Sequence, residues 1–480
     1  MAALMGAAMV LTACGGGNTT APTTGASSGG ETQTASESAE SGKITKTDIV
    51  VGQASDIVTL DPAGQQDTTS GVLMKHAYST LLDVDNEGKV VPDLAESYEM
   101  KSDTEYVFKL REDACFWDGT PVTAQDVKFS LDRAKGMPKT KSNTSKIEEV
   151  TVNGDHEVTI KLTEPYAAFK TIVTQHNLSI LSEKAVTEAG DSYGDVDNLL
   201  GSGPFKVTEW VPNDHYTLVR NDNYWGEMPI ATSITCRVIP EGSARTIALE
   251  AGEIDVVWRV DPTDCANVES NPDVKLLSQP STGIDYVGMN TQKEKFSDKR
   301  VRQAINYALD KQAFVDTIIE GRGLVANSYI NAAIPGWTDE VEAYPYDPEK
   351  AKELLAEAGY PDGFECSIFV NGDLRTRSAQ ILQAQLADVG IKVDISTYEW
   401  GALLDTLNAG EHEMFLLGWS NTSFDPDGST YQLFYSGNHG ATGNRAFFSN
   451  DKVDELILSA QRESEESKRM ELYKELQFVL

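Results

Sequence analysis

Apolar and polar residues alternate at Tyr106, Phe108 and Leu110, and again at Val158, Ile160 and Leu162. That period of two predicts half-buried β-strands. A longer period governs residues 347–359, where Asp347 offers an N-cap carboxylate and Pro348 occupies the first turn, in which its missing N–H costs nothing. Ala351, Leu354, Leu355 and Ala358 then form one apolar face, and Gly359 closes the helix. The same spacing predicts a helix over 297–320, with Val301, Ala304, Ile305, Ala308 and Leu309 on one side and Gly321 as its stop. A helix over 378–389 leads into a strand over 391–396. Strands and helices are intermixed throughout, which makes the fold class α/β, and no internal repeat is present.

The start of the chain has a different character. Residues 2–11 are apolar but fall short of the about 20 residues that span a bilayer, and they run into Leu11-Thr12-Ala13-Cys14, the shape of a lipobox. Residues 1–14 are therefore expected to be a lipoprotein signal peptide, with Cys14 as the point of lipid attachment. No Lys or Arg precedes Lys43, so this reading expects the natural chain to begin upstream. The competing reading is an Ala-rich disordered tail. Residues 15–45 are almost entirely Gly, Ser, Thr, Ala and other small or polar residues, too poor in apolar surface to fold, and are expected to form a flexible tether.

The remaining body, 46–480, is long enough for two or three lobes. The formal net charge of −34 argues against nucleic acid or anionic lipid as electrostatic partners, because both need basic patches. Cys115, Cys236, Cys265 and Cys366 are scattered without Cys-x-x-Cys spacing and indicate no zinc site or disulfide framework.

Signatures of catalysis are absent from the sequence. Gly201-Ser202-Gly203-Pro204 lacks the rest of a phosphate loop and reads as a turn entering a strand over 205–210. There is no Gly-x-Ser-x-Gly elbow and no His-Glu-x-x-His, and the six histidines stand singly. No catalytic residue, cofactor or metal is expected.

Residues 110–112 (Leu-Arg-Glu) and 116–127, from Phe116-Trp117-Asp118-Gly119 to Gln125-Asp126-Val127, resemble the signature of the bacterial extracellular solute-binding proteins, family 5. Locally this block is structural: Asp118-Gly119 makes a turn, and Thr123 with Asp126 forms an acidic capping box. Gly201-Ser202-Gly203-Pro204-Phe205 with Trp210, Asn221 and Tyr224-Trp225 resembles a second family run, and Arg300-Val301-Arg302-Gln303-Ala304-Ile305 a third. Tyr398-Glu399-Trp400-Gly401, Ala409-Gly410-Glu411-His412 and Gly418-Trp419 are close to the dipeptide-binding branch.

The resemblance implies a two-lobed, periplasmic-binding-protein-like fold (type II, cluster C) with a hinge. Residues 46–82 and 200–282 would form lobe I, 83–199 a subdomain inserted into it, and 283–480 lobe II. The C-terminal return to lobe I is expected to lie beyond Leu480. The ligand would sit between the lobes, its backbone paired in strand fashion with Gly418-Trp419-Ser420 and its side chains beside Trp400 and Trp419. Peptide-binding relatives carry an aspartate three residues after this tryptophan to receive the ligand's α-ammonium. Thr422 stands there instead, and a hydroxyl supplies no charge. Asp425 and Asp427, in Phe424-Asp425-Pro426-Asp427, are the nearest substitutes, and Asp67, in the loop 64–69 that the resemblance matches to a first-lobe contact loop, is another. For the ligand carboxylate, Arg375, placed in a loop before the 378–389 helix, and Arg445 offer guanidinium forks.

The implied function is that of a receptor, lipid-anchored on the outer face of a bacterial membrane or in the periplasm. It would be a monomer that captures short peptides and delivers them to the permease of an ABC importer, with a separate ATPase supplying energy. The alternatives are a secreted peptidase-like enzyme, a solute-sensing lipoprotein, or the same receptor role for an oligosaccharide or nickel chelate.

Overall fold

A computed structural model describes residues 46–65 and 67–480, so the expectations for Cys14 and for residues 1–45 lie outside the described residues. The alternation at 106–110 and 158–162 becomes two antiparallel strands, Glu105–Leu110 and Glu157–Leu162, with Tyr106 opposite Ile160 and Phe108 opposite Val158. Ala95–Ser102 and Ile147–Gly154 complete that four-stranded sheet. Its buried face packs on the helix Ala124–Lys135 through Val127 and Leu131. The capping box holds as expected: Thr123 N donates to Asp126 Oδ2 over 2.9 Å, and Asp126 N donates to Thr123 Oγ1 over 3.4 Å.

A five-stranded mixed sheet runs in the order Val256–Val257, Asp48–Gln53, Ser233–Val238, His215–Arg220, Phe205–Val211. The helix Thr68–Ala77 covers it with Leu73 and Met74. The Gly201–Gly203 turn fits against the end of that helix because it has no side chains there. A Cβ on Gly201 would stand 2.0 Å from the Ala77 carbonyl oxygen, and one on Gly203 2.5 Å from that of His76.

A separate four-stranded sheet has the order Gly283–Met289, Met414–Ser420, Glu365–Val370, Lys392–Thr397. Its core includes Val301, Ile305, Leu355, Ile368, Leu382 and Leu386. Asp347 caps Pro348–Glu357 by accepting from Lys350 N over 2.9 Å, and Gly359 adopts φ +94° at its end, as the sequence predicts.

The helix expected over 297–320 is instead three segments, Glu294–Ser297, Lys299–Ala308 and Lys311–Ile318. Leu309 turns extended (φ −100°, ψ 116°) to bury its side chain, and Asp310 restarts the helix by accepting from Ala313 N over 3.1 Å. A capping aspartate wins over continued periodicity because it satisfies an otherwise orphaned donor.

Beyond Ser420 the chain forms Asp427–Phe434, Asp451–Arg462 and Glu466–Val479, packed around Tyr431, Val453, Ile457, Tyr473 and Leu476. This cluster leans on the 95–162 sheet unit. Ala167 N donates to Gln461 O over 2.8 Å, and Gln432 Nε2 to Asn143 Oδ1 over 2.8 Å. Among the described residues Cys115, Cys236, Cys265 and Cys366 are free thiols, and no helix is long and apolar enough to cross a membrane.

Candidate functional site

Met414–Ser420 lies between two strands but is not fully paired by both. It runs antiparallel to Gly283–Met289 along its whole length, with Asp285 opposite Gly418, Ile284 opposite Trp419 and Gly283 opposite Ser420. Its pairing with Glu365–Val370 is confined to Ile368 opposite Met414 and Phe369 opposite Phe415. Leu416–Ser420 is left with an edge that no strand among the described residues occupies, the kind of edge to which an extended peptide adds.

Side chains of both polarities gather beside that edge. Trp400 opens the helix Trp400–Asn408 and packs with Tyr286, Phe369 and Leu403, yet its buried indole Nε1 has no partner among the described residues. Trp419 is anchored through Nε1 to Gly428 O at 3.2 Å. Asp67 comes from the opposite unit of the molecule. It is a helix cap: Oδ1 accepts from Ser70 N over 2.9 Å, which orients the carboxylate, while the buried Oδ2 has no partner among the described residues. Burial raises the Asp67 pKa above the ordinary carboxylate value, opposed by the Ser70 bonds and by Lys139, with Trp400 close enough to act on it.

Arg445 is buried and its Nε donates to Asn408 Oδ1 over 2.9 Å, with no carboxylate in ion-pair contact among the described residues. Burial lowers its pKa, and Tyr286 and Asp67 are the anionic or polar neighbours that oppose the shift. Its backbone carbonyl meets Nε2 of the buried His412 at 2.9 Å, whose pKa burial lowers to about 4. His412 is thus a neutral support for this turn.

The position of Arg375 differs from the expectation. The helix begins at Gly372, six residues before the predicted start, so Arg375 sits in its first turn and not in a preceding loop. Gly372, at φ +69°, lets the chain enter the helix by a route the sequence pattern does not reveal. Arg375 Nη1 donates to Asn371 Oδ1 over 2.7 Å, the guanidinium stands 5.8 Å from the Trp400 ring centroid, and Asp285 lies 3.8 Å away. A Cβ on Gly418 would come within 2.6 Å of Asp285 Oδ1 and 3.5 Å of Arg375 Nη2. Glycine there leaves room against the open edge.

Asp425 and Asp427 require correction as receptors of a ligand amine. Asp425 makes a buried two-pronged ion pair with Arg469, at 2.8 and 2.5 Å. Asp427 is buried too and accepts from Tyr166 Oη over 2.6 Å, Gln461 Nε2 over 3.0 Å and Tyr473 Oη over 3.1 Å. Asp425 is committed to the last helix through Arg469, and Asp427 joins the C-terminal helices to Tyr166, which is why both are buried where a turn would be solvated. Thr422 is exposed and donates to Gln175 Oε1 over 3.3 Å, across the same interface. Of the three carboxylates named from sequence, Asp67 alone keeps an oxygen available. Ser420 stands at the open end of the strand, opposite Gly283.

Residues the sequence reading missed are Tyr286 and Asp285, on the neighbouring strand, and Arg259, which follows the edge strand Val256–Val257. None belongs to a motif. Each becomes visible only when separate segments are brought together. Among the described residues no group of three or more His, Cys, Asp or Glu could hold a metal.

Residues 89–441 match the family model described as bacterial extracellular solute-binding proteins, family 5 Middle. The chain is 32% identical over 452 residues to the glutathione-binding protein GsiB of Shigella boydii, covering 90% of this chain and 86% of that one. The peptide STSA complex of the periplasmic binding protein DppA from Helicobacter pylori superimposes with a TM-score of 0.86 at 29% identity, covering 90% of each chain. The oligopeptide-binding protein AppA from Bacillus subtilis, bound to a nonapeptide, gives 0.82 at 26% identity, again over 90% of each chain. The two-lobed α/β fold is shared with both solved structures.

Proposed function

Because this chain belongs to the bacterial extracellular solute-binding proteins, family 5, we propose that it is the peptide receptor of an ABC importer, holding a short peptide or peptide-like solute between its lobes. The observation that carries this reading is the open edge of Leu416–Ser420, together with an Asp67 oxygen that is buried without a partner among the described residues and the guanidiniums of Arg375 and Arg445, neither of which is hydrogen-bonded to a carboxylate. Main-chain pairing along the edge binds any extended peptide and reads no side chain. Asp67 receives the ammonium end, in place of the aspartate that Thr422 replaces, Arg445 receives the terminal carboxylate, and Arg375 stands beside Trp400 as a further guanidinium of the site. Trp400 and Trp419 wall the side-chain space, with large apolar area and few torsions to freeze.

Contacts to both lobes favour the closed arrangement, and closure distinguishes loaded from empty receptor at a membrane permease. The names of the relatives, a glutathione-binding protein and receptors solved with peptides, support cargo of this kind. Native mass spectrometry of the protein as purified checks the reading: a retained peptide mass that exchanges with added di- to tetrapeptides is expected. A retained sugar or metal chelate, or cleavage of the added peptides, would exclude it.

The receptor is held at the outer membrane face by lipid on Cys14, with residues 15–45 as the tether. A bacterial culture fed radiolabelled palmitate should label the wild-type chain and leave the Cys14→Ser variant unlabelled and released to the soluble fraction. Labelling of the variant would sink this anchoring site.

A further inference from the structure

Arg259 is held in a backbone conformation that its residue type rarely adopts, with φ +64°. It stands at the turn where the edge strand Val256–Val257 ends, just after Trp258, whose N–H bonds Gly52 O over 2.9 Å. A left-handed residue with a long side chain is strained and persists only where its neighbours enforce it, and such strain concentrates at binding sites. The turn aims the guanidinium over the Trp258 ring, 5.3 Å from its centroid. There it makes no hydrogen bond and no ion pair among the described residues, and it is open to solvent.

Several arginines of this chain are matched to carboxylates, as in Arg133 with Asp61, Arg377 with Asp261 and Arg469 with Asp425. The charged neighbours of Arg259 are Arg375, a like charge, and Asp285. Asp285 is largely exposed and stands 3.8 Å from Arg375, too far for a hydrogen bond. Asn371, at the start of the Arg375 helix, gives its side-chain oxygen to Arg375 and makes no cap. The first-turn N–H groups of that sixteen-residue helix keep their preference for negative charge. Asp373, on the same turn, lines a separate recess with Arg377 and Asp261. Two guanidiniums close enough for their charges to repel, with an uncapped helix end, in a chain of net charge −34, form a local reversal of sign that an anion would relieve.

We propose that Arg259 and Arg375 form a second anion subsite, so that the preferred cargo is a short peptide-like solute bearing a carboxylate in addition to its terminal one. This rests on the receptor reading above. Arg445 takes the terminal carboxylate, Asp67 the amine, and the Arg259–Arg375 pair an acidic side chain. The pair also discriminates against neutral cargo, since without the second anion the two guanidiniums stay unneutralised side by side.

Isothermal titration of the whole protein with the matched pairs Ala-Glu and Ala-Gln, and Ala-Ala-Glu and Ala-Ala-Gln, tests this. The acid member of a pair should bind roughly tenfold tighter or more, the scale of a charge-assisted hydrogen bond, with the margin shrinking at high salt. Arg259→Ala should erase the margin and leave the amide peptides within about threefold of wild type. Arg259→Gly, which fits the left-handed backbone, should erase it too while raising the thermal midpoint of the empty protein. Equal binding of acid and amide by the wild type, or equal weakening of both by either variant, overturns the subsite and leaves the receptor reading intact. Failure of every peptide to bind overturns both.

Discussion

Arg469→Met is expected to destabilise the protein by about 3–5 kcal/mol, because it leaves Asp425 buried beside Asp427 with no compensating cation. The pair is almost fully enclosed, with side-chain exposures of 8% for Arg469 and 10% for Asp425. Asp425→Asn should cost less, since Arg469 retains a favourable interaction with Asp427. The double variant should recover part of the loss, the outcome expected when the penalty lies in an unmatched charge. The pH dependence gives a second reading. Burial, then the neighbouring Asp425, already raises the Asp427 pKa in the intact protein. Removing Arg469, whose charge opposes that shift, raises the Asp427 pKa further. A group whose folded pKa exceeds its unfolded value favours the fold below the unfolded pKa and loses that contribution as pH rises through the folded one. The deficit of Arg469→Met should therefore narrow toward acid, which thermal unfolding across pH 4–8 measures. A loss under about 1 kcal/mol, or one independent of pH, would contradict this account.

That network also marks the limit of what the sequence reveals. Elements built from local pattern were legible: the 106–110 and 158–162 strands, the Asp347 cap and the Thr123–Asp126 box rest on residues within a few positions of one another. Family resemblance correctly identified the two-lobed α/β fold. The break at Leu309 and Asp310 was not legible, because an aspartate on the polar face of a helix and one that restarts a helix look alike in a periodic pattern. Asp425 and Asp427 have the composition of a solvated turn, and only Arg469 and Tyr166, 44 and 261 positions away from them, reveal that they are core. Arg259 has no sequence signal at all, for its meaning depends on a backbone angle and on a like charge brought from another segment.

Asp67→Asn should weaken binding of free-amine peptides by about 2–5 kcal/mol, a loss of roughly thirtyfold to several-thousandfold in Kd, while leaving the fold intact. Asparagine caps a helix as well as aspartate does, so the bond from Ser70 N to Oδ1 persists and the change is confined to Oδ2 and its charge. An N-acetylated peptide has no ammonium, so it should bind the two proteins alike, and the effects of acetylation and of Asp67→Asn should not add. Wild-type affinity for the free-amine peptide should fall as pH drops through the Asp67 pKa, starting at higher pH than for an ordinary carboxylate because burial raises it. The variant should show no such fall. Without ligand the sign reverses: a buried carboxylate with a raised pKa opposes folding once ionised, so at neutral pH the empty Asn variant should unfold at a higher temperature than the empty wild type. Together these outcomes would show a receptor that keeps one oxygen unsatisfied so that cargo can satisfy it. If acetylation weakens binding equally in wild type and variant, the amine is held elsewhere and Asp67 serves only its helix.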